Sequence, residues 1–176
     1  MIELGLLKYL KKTIKDPLQP IRKETAWIIS NVAAGTQKQI VALLNENFYD
    51  DLVQIIKNDS QDIVKEACWG ICNLSSVGDK ELMESMLNRE YIEVLSSIIK
   101  SNELKLIAIG IEALENVLEF GNQYYAKDGE KNIIVRRLED IGMFDVFERL
   151  QYHCSEIIYE KVVKLIDNYF EKEELD

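Results

Sequence analysis

Two tryptophans in this chain each stand four residues before an asparagine: Trp27 and Asn31, then Trp69 and Asn73. Positions four apart project from one side of an α-helix, about 40° apart at 3.6 residues per turn. Each pair therefore sets an indole beside a carboxamide. A carboxamide carries an acceptor and donors, so it can bond the N–H and C=O of one residue in an extended peptide. It fixes a backbone without reading its side chain. Parallel indoles form slots for long aliphatic stems, whose positive heads are drawn to the ring quadrupole. Glu24 and Glu66 stand three residues before each tryptophan, on or near the same face, where a carboxylate favours a cation. The ligand this describes is an extended segment rich in lysine or arginine. Each contact is worth on the order of 0.5–2 kcal/mol, so affinity needs several in a row. The competing reading makes the indoles packing between repeats and the asparagines tolerated polar positions. Two pairs in register, each with its glutamate, favour the ligand.

The elements that must hold these residues are written as a repeat. Glu24 to Glu66, Trp27 to Trp69 and Asn31 to Asn73 are each 42 residues apart, and Asn116 follows Asn73 by 43. Upstream of each lies a second apolar helix, at residues 7–15, 51–59 and 93–101. Residues 145–170 carry a fourth copy with Asn168 in register, 52 residues after Asn116. The extra length sits in a polar, glycine-bearing insertion at 121–132. Within one period, Ile63, Ala67, Ile71 and Leu74 fall on one stripe of a long helix over 61–76. Residues 51–58 read as a shorter helix with Leu52, Ile55 and Ile56 inward. Residues 79–88 read as another, opened by Asp79 as N-cap, with Leu82, Met83 and Met86 inward. Gly35 and Gly78 are expected to close the long helices as left-handed C-caps. Nothing alternates with a period of two.

A short helix, a helix and a long helix in about 42 residues fit an all-α, armadillo or HEAT-like α-solenoid. The expected organisation is one solenoid of about four repeats. Residues 1–35 form an incomplete first repeat, followed by 36–78, 79–121 and a C-terminal capping repeat at 122–176. The third helices would line a concave groove, stacking the tryptophan–asparagine pairs as a ladder. The chain opens on the second helix of a repeat. It is therefore expected to be the C-terminal part of a longer solenoid, or to self-associate through the uncovered N-terminal face.

Composition narrows the functional classes. With 176 residues, 47% hydrophobic and 30% charged, the chain is long and apolar enough for a sizeable core. A net charge of −10 and a pI near 4.7 argue against direct nucleic-acid binding, which needs basic surface to displace counterions. Acidity suits basic partners, and also serves solubility. Cys68, Cys72 and Cys154 are too few and too irregular for a disulfide framework and are expected to be buried, reduced thiols. A structural zinc site wants four N or S ligands, and the single His153 lies far from Cys68 and Cys72 along the chain. No metal or cofactor is expected. The N-terminus is too short and too charged for a secretory or membrane-spanning segment, so the chain reads as soluble and intracellular, without membrane insertion. There is no nucleophile–base pair and no glycine-rich phosphate loop, and His153 falls in an expected interhelical turn. The reading is not an enzyme.

The stretches IRKETAWIISNVAAGTQKQI and VKEACWGICNLSSVG resemble the armadillo repeats of importin-α, the adaptor that binds nuclear localisation signals. LIAIGIEALENVLEFG resembles that family's penultimate repeat, and GMFDVFERLQYHCSEIIYEKVVKLIDNYFEKEE its last. The resemblance spans essentially the whole chain and about the last third to half of a full importin-α. It implies a right-handed armadillo solenoid and a nuclear import adaptor, or its C-terminal fragment, shuttling between cytoplasm and nucleus. Trp27, Asn31, Trp69 and Asn73 match the array that takes the smaller basic cluster of a bipartite signal, with Glu24 and Glu66 as flanking acids. In the third repeat Glu112 stands at the tryptophan position and Asn116 keeps the asparagine, which ends the ladder. The last repeats of the family contact an export receptor and nucleoporins, which brings in Tyr159, Tyr169, Phe170 and the acidic tail. The usual threonine two residues after the asparagine is Ala33 in the first copy and Ser75 in the second. The alternative is another armadillo scaffold using the same groove for a different ligand.

Overall fold

A computed structural model describes residues 5–126 and 132–170. Its described residues form eleven α-helices and fall into two compact units, residues 1–91 and 92–176. The first unit holds α1 (Leu6–Thr13), α2 (Gln19–Ala33), α3 (Gln37–Asn45), α4 (Phe48–Asn58), α5 (Gln61–Leu74) and α6 (Lys80–Leu87). The order of short, intermediate and long helices is the expected repeat. α2 starts with Pro20 in its first turn, where a missing N–H costs nothing. It buries Thr25, Ala26, Ile29, Ser30 and Ala33 and packs along α5. α5 buries Ile63, Ala67, Ile71 and Leu74, the stripe read from the spacing. Against its other side lies α4, which starts at Phe48, earlier than expected, and buries Leu52 and Ile55. Ile56 and Leu82, expected inward, are half-buried. Gly70 lets α4 come close, because a Cβ there would stand 2.9 Å from Leu52 Cδ1. Asp79 caps α6 as expected, its Oδ1 accepting from Leu82 N at 3.0 Å. Met83 and Met86 are buried beneath it.

The glycine assignment is corrected. Gly35 and Gly78 are not left-handed; among the described residues positive φ occurs at Gly5, Asn47, Glu90 and Gly142. Each of these immediately precedes the second helix of a repeat: α1, α4, α7 (Tyr91–Ile99) and α10 (Met143–Leu150). The left-handed turn thus recurs at the corner between first and second helices, not after the third. Gly35 is small for another reason. A Cβ would run into Gln39 Oε1, which accepts from Thr36 N at 2.7 Å and closes the first turn of α3.

The second unit contains α7 apart from Tyr91, then α8 (Leu104–Tyr124), α9 (Ile133–Asp140), α10 and α11 (Glu156–Tyr169). α11 packs along α8. The insertion read as extra length is partly helical: α8 continues through Gly121–Tyr124, and Tyr124 and Tyr125 pack on the Phe120 ring. Its end is pinned by buried Asn132, which donates to Leu118 O (2.9 Å) and Asn122 Oδ1 (2.8 Å) and accepts from Ile134 N (2.9 Å). Residues 127–131 of the insertion and the acidic tail at 171–176 lie outside the described residues. Cys68 and Cys72 are buried, whereas Cys154, expected buried, is exposed in the turn between α10 and α11. No described helix is long and apolar enough to cross a membrane.

Candidate functional site

α2 and α5 lie side by side, and each carries one tryptophan–asparagine pair. Ala26, Ile29 and Ala33 of α2 and Ile63, Ala67, Ile71 and Leu74 of α5 are buried, so the pairs fall on the flank of each core stripe. Trp27, Ser30, Asn31 and Ala34 from the α2 side and Glu66, Trp69 and Asn73 from α5 line one cleft of about 380 Å³. Five sequence-identified residues are thereby brought together: Trp27, Asn31, Glu66, Trp69 and Asn73. Glu24 is exposed one turn before Trp27 and does not line the cleft. Ser30 and Ala34 were not singled out in the sequence. They follow Trp27 by three and seven residues, the spacing of one helical face, and that signal could have found them.

The two walls differ. Trp27 is 51% exposed. Trp69 is half-buried, and so is Glu66. The carboxamides are partly committed to the protein itself. Asn31 Nδ2 donates to Trp27 O at 2.8 Å, and Asn73 Nδ2 donates to Ser30 O at 3.0 Å. Each nitrogen faces a carbonyl oxygen, which only accepts, so the amide orientation is forced. Each side chain keeps its Oδ1 and one N–H. The free polar atoms of the cleft are therefore rich in acceptors, with the Glu66 carboxylate beside them. Such a lining suits N–H donors and cations set against aromatic faces.

The helices that carry the cleft are also tied by charge. Arg22, at the start of α2, donates from Nε to Asp59 Oδ2 (2.7 Å) and from Nη2 to Asp59 Oδ1 (2.9 Å). That two-point bond holds the Asp59 carboxyl below the usual carboxylate range, against an opposing push from burial. Lys23 and Asp62 make a looser, exposed pair of 3.7 Å between α2 and α5.

Glu112 and Asn116 belong to α8 in the second unit, and both are exposed. Lys161 of α11 reaches Glu112 Oε1 at 2.5 Å, and Lys164 reaches Glu115 Oε1 at 2.6 Å. Tyr169 donates to Glu119 Oε2 at 3.2 Å, and burial first, then this carboxylate, pushes its hydroxyl up to about 12. Tyr159 is 47% exposed, while Phe170 is buried against Phe144 and Phe147. His153 Nδ1 accepts from Ser155 N at 3.0 Å in the turn before α11. Among the described residues no cluster of histidine, cysteine and carboxylate side chains could hold a metal ion.

The chain is similar in sequence and in fold to known proteins. Residues 36–76 match the armadillo/beta-catenin-like repeat and residues 132–176 the atypical Arm repeat. The chain is 36% identical over 156 residues to importin subunit alpha-4 of Arabidopsis thaliana, covering 88% of this chain and 29% of that protein. It is 34% identical over 172 residues to importin subunit alpha-1a of Oryza sativa subsp. japonica, covering 97% and 32%. The chain thus spans about a third of the length of these curated relatives. Its fold is similar to that of computationally designed armadillo repeat proteins for modular peptide recognition (TM-score 0.79, 23% identity, 94% of this chain and 65% of that one). It is also similar to a designed armadillo repeat protein in complex with the peptide (KR)4 (TM-score 0.63, 22% identity, 94% and 82%). The fold is an all-α armadillo solenoid.

Proposed function

The repeats of this chain belong to the importin-α family, and on that premise we propose that it is a non-enzymatic adaptor binding Lys/Arg-rich segments between α2 and α5. The observation that carries the reading is the single cleft lined by Trp27, Asn31, Glu66, Trp69 and Asn73. In this reading the stem of a lysine or arginine lies between the indoles, and its charge is met by the ring faces and by Glu66. Asn31 and Asn73 offer Oδ1 to backbone N–H groups of an extended ligand. Glu24 adds negative potential from outside the cleft. Glu112 and Asn116 form the corresponding positions of the next repeat, with Glu112 already held by Lys161.

The ligand class is supported by the relatives, which are importin-α subunits, and by the designed armadillo protein bound to (KR)4. By the same descent we propose nuclear localisation signals as the ligands and shuttling between cytoplasm and nucleus as the setting. The second unit would serve an export receptor or nucleoporins. Each cation–aromatic contact supplies about 0.5–2 kcal/mol, so two tryptophans give weak binding that extra contacts must strengthen.

The experiment is a titration of the chain with a fluorescent Lys/Arg-rich peptide and with an acidic peptide of equal length. Saturable, salt-sensitive binding of the basic peptide alone, lost on Trp27→Ala together with Trp69→Ala, is expected. Tight binding that survives loss of both tryptophans would sink the assignment.

A further inference from the structure

Asn31 and Asn73 spend their donors differently. Asn31 bonds a carbonyl of its own helix, one turn back. Asn73 reaches across from α5 to α2 and bonds the carbonyl of Ser30, 43 residues away in sequence. Ser30 follows Trp27 by three residues and Asn73 follows Trp69 by four. The bond therefore joins the two helices one turn beyond the indole on both sides. Ser30 is buried, and its hydroxyl donates to Trp27 O at 2.8 Å, so the acceptor end is fixed to the turn that carries Trp27.

A second carboxamide ties the end of α5 outside the cleft, to α3 of its own repeat. Gln37, at the start of α3, donates from Nε2 to Ser76 O at 2.6 Å and accepts at Oε1 from Gly78 N at 2.7 Å. It is not among the residues lining the cleft. The end of α5 is thus latched twice, once inside the groove and once beside it.

Resting on the groove reading above, we infer that Asn73 is a positioning residue whose bond to the Ser30 carbonyl sets the separation of Trp27 and Trp69. Its effect on a cationic ligand passes through the width of the indole slot. A carboxamide is suited to this task, because one N–H holds the strut while Oδ1 stays available to the ligand. Aspartate at 73 would keep the acceptor and add a charge attractive to a cation. It would also lose the donor and turn a carboxylate oxygen against the Ser30 carbonyl. Simple electrostatics therefore makes Asn73→Asp bind a basic peptide more tightly, and the strut makes it bind more weakly.

Trp27 and Trp69 are the chain's two tryptophans and both line the cleft, so intrinsic tryptophan emission reports this groove alone. The experiment compares the full chain with its Asn73→Asp, Asn73→Ala and Gln37→Ala variants, each checked for helicity by circular dichroism. Ligand-free emission and titration with the peptide (KR)4 are the readouts. Asn73→Asp and Asn73→Ala are expected to shift ligand-free emission and to weaken the peptide roughly fivefold to tenfold, the value of one lost hydrogen bond. Gln37→Ala should lower the melting temperature while leaving emission and affinity unchanged within about twofold, since its latch lies outside the slot. Folded Asn73 variants with wild-type emission, or an Asn73→Asp variant that binds as tightly as wild type, would overturn the inference. A wild-type chain that ignores (KR)4 would instead defeat the groove reading, and the emission of ligand-free Asn73→Asp would still decide the strut.

Discussion

Lys161 of α11 sits 2.5 Å from Glu112 of α8, so the residue at the tryptophan position of the third copy is already bound to a cation from its own unit. Glu66 lines the open cleft and is paired with no lysine or arginine among the described residues. The two carboxylates should therefore answer differently to neutralisation. Glu66→Gln is expected to weaken a basic peptide about twofold to fivefold, the worth of one partly exposed charge pair. Glu112→Gln should leave the affinity within that of wild type. Titration of both variants at low and high salt checks this, and the Glu66 effect should fade at high salt.

The tryptophans are also unequal. Trp27 is 51% exposed, whereas Trp69 is half-buried and has more of its ring packed against the protein. A preorganised ring loses less freedom when a ligand arrives. Trp69→Ala should cost more binding than Trp27→Ala, and more stability, about 2 kcal/mol against about 1 kcal/mol for loss of aromatic packing. Urea melts and peptide titrations of the single variants measure both. Equal losses at the two positions would contradict the argument from burial.

Asp59 makes the fold of the first unit sensitive to acid. Its folded carboxyl lies below the unfolded value because Arg22 hydrogen bonds to the charged form. The stabilisation is fully present above about pH 4, the unfolded pKa, and is lost as pH falls through the lower folded value. Asp59→Asn should be less stable than wild type at neutral pH, with the gap closing in acid. Denaturant midpoints measured from neutral to acid pH test the convergence.

Glu90 occupies a left-handed turn with φ 62°, a conformation that costs a side-chain-bearing residue about 1 kcal/mol. Its ion pair with Lys57, at 3.6 Å and exposed on both sides, offsets little of this. Glu90→Gly is expected to stabilise the fold by about 0.5–1 kcal/mol. Asn47→Gly at the equivalent corner should gain less, because asparagine tolerates the left-handed region. Thermal melts of the two variants give the comparison.

Gly35 and Gly78 show where reading along the chain stops. Both follow a long helix, and a helix-ending glycine is commonly left-handed. Here the left-handed residues stand at the other corner of the repeat, and two of them, Asn47 and Glu90, are not glycine. The turn conformation follows from how one helix must fold back on the next, which is a demand of packing. Cys154 makes the same point: its chemistry suggested burial, and its place in the α10–α11 turn left it in solvent.

The 42-residue period, the helical texture and the stripe through Ile63, Ala67, Ile71 and Leu74 were all legible in the order of residues. So were the two indole–carboxamide pairs, because a helix places residues three or four apart on one face by local geometry alone. Which groups those pairs touch was decided by tertiary structure. Asn73 meets the carbonyl of Ser30, Glu112 meets Lys161, and Arg22 meets Asp59, each partner at least 37 residues away. A hydrogen bond acts over about 3 Å, and no spacing along a chain fixes a distance that short between separate helices. Only the packing of α2 on α5, and of α8 on α11, brought the partners within reach.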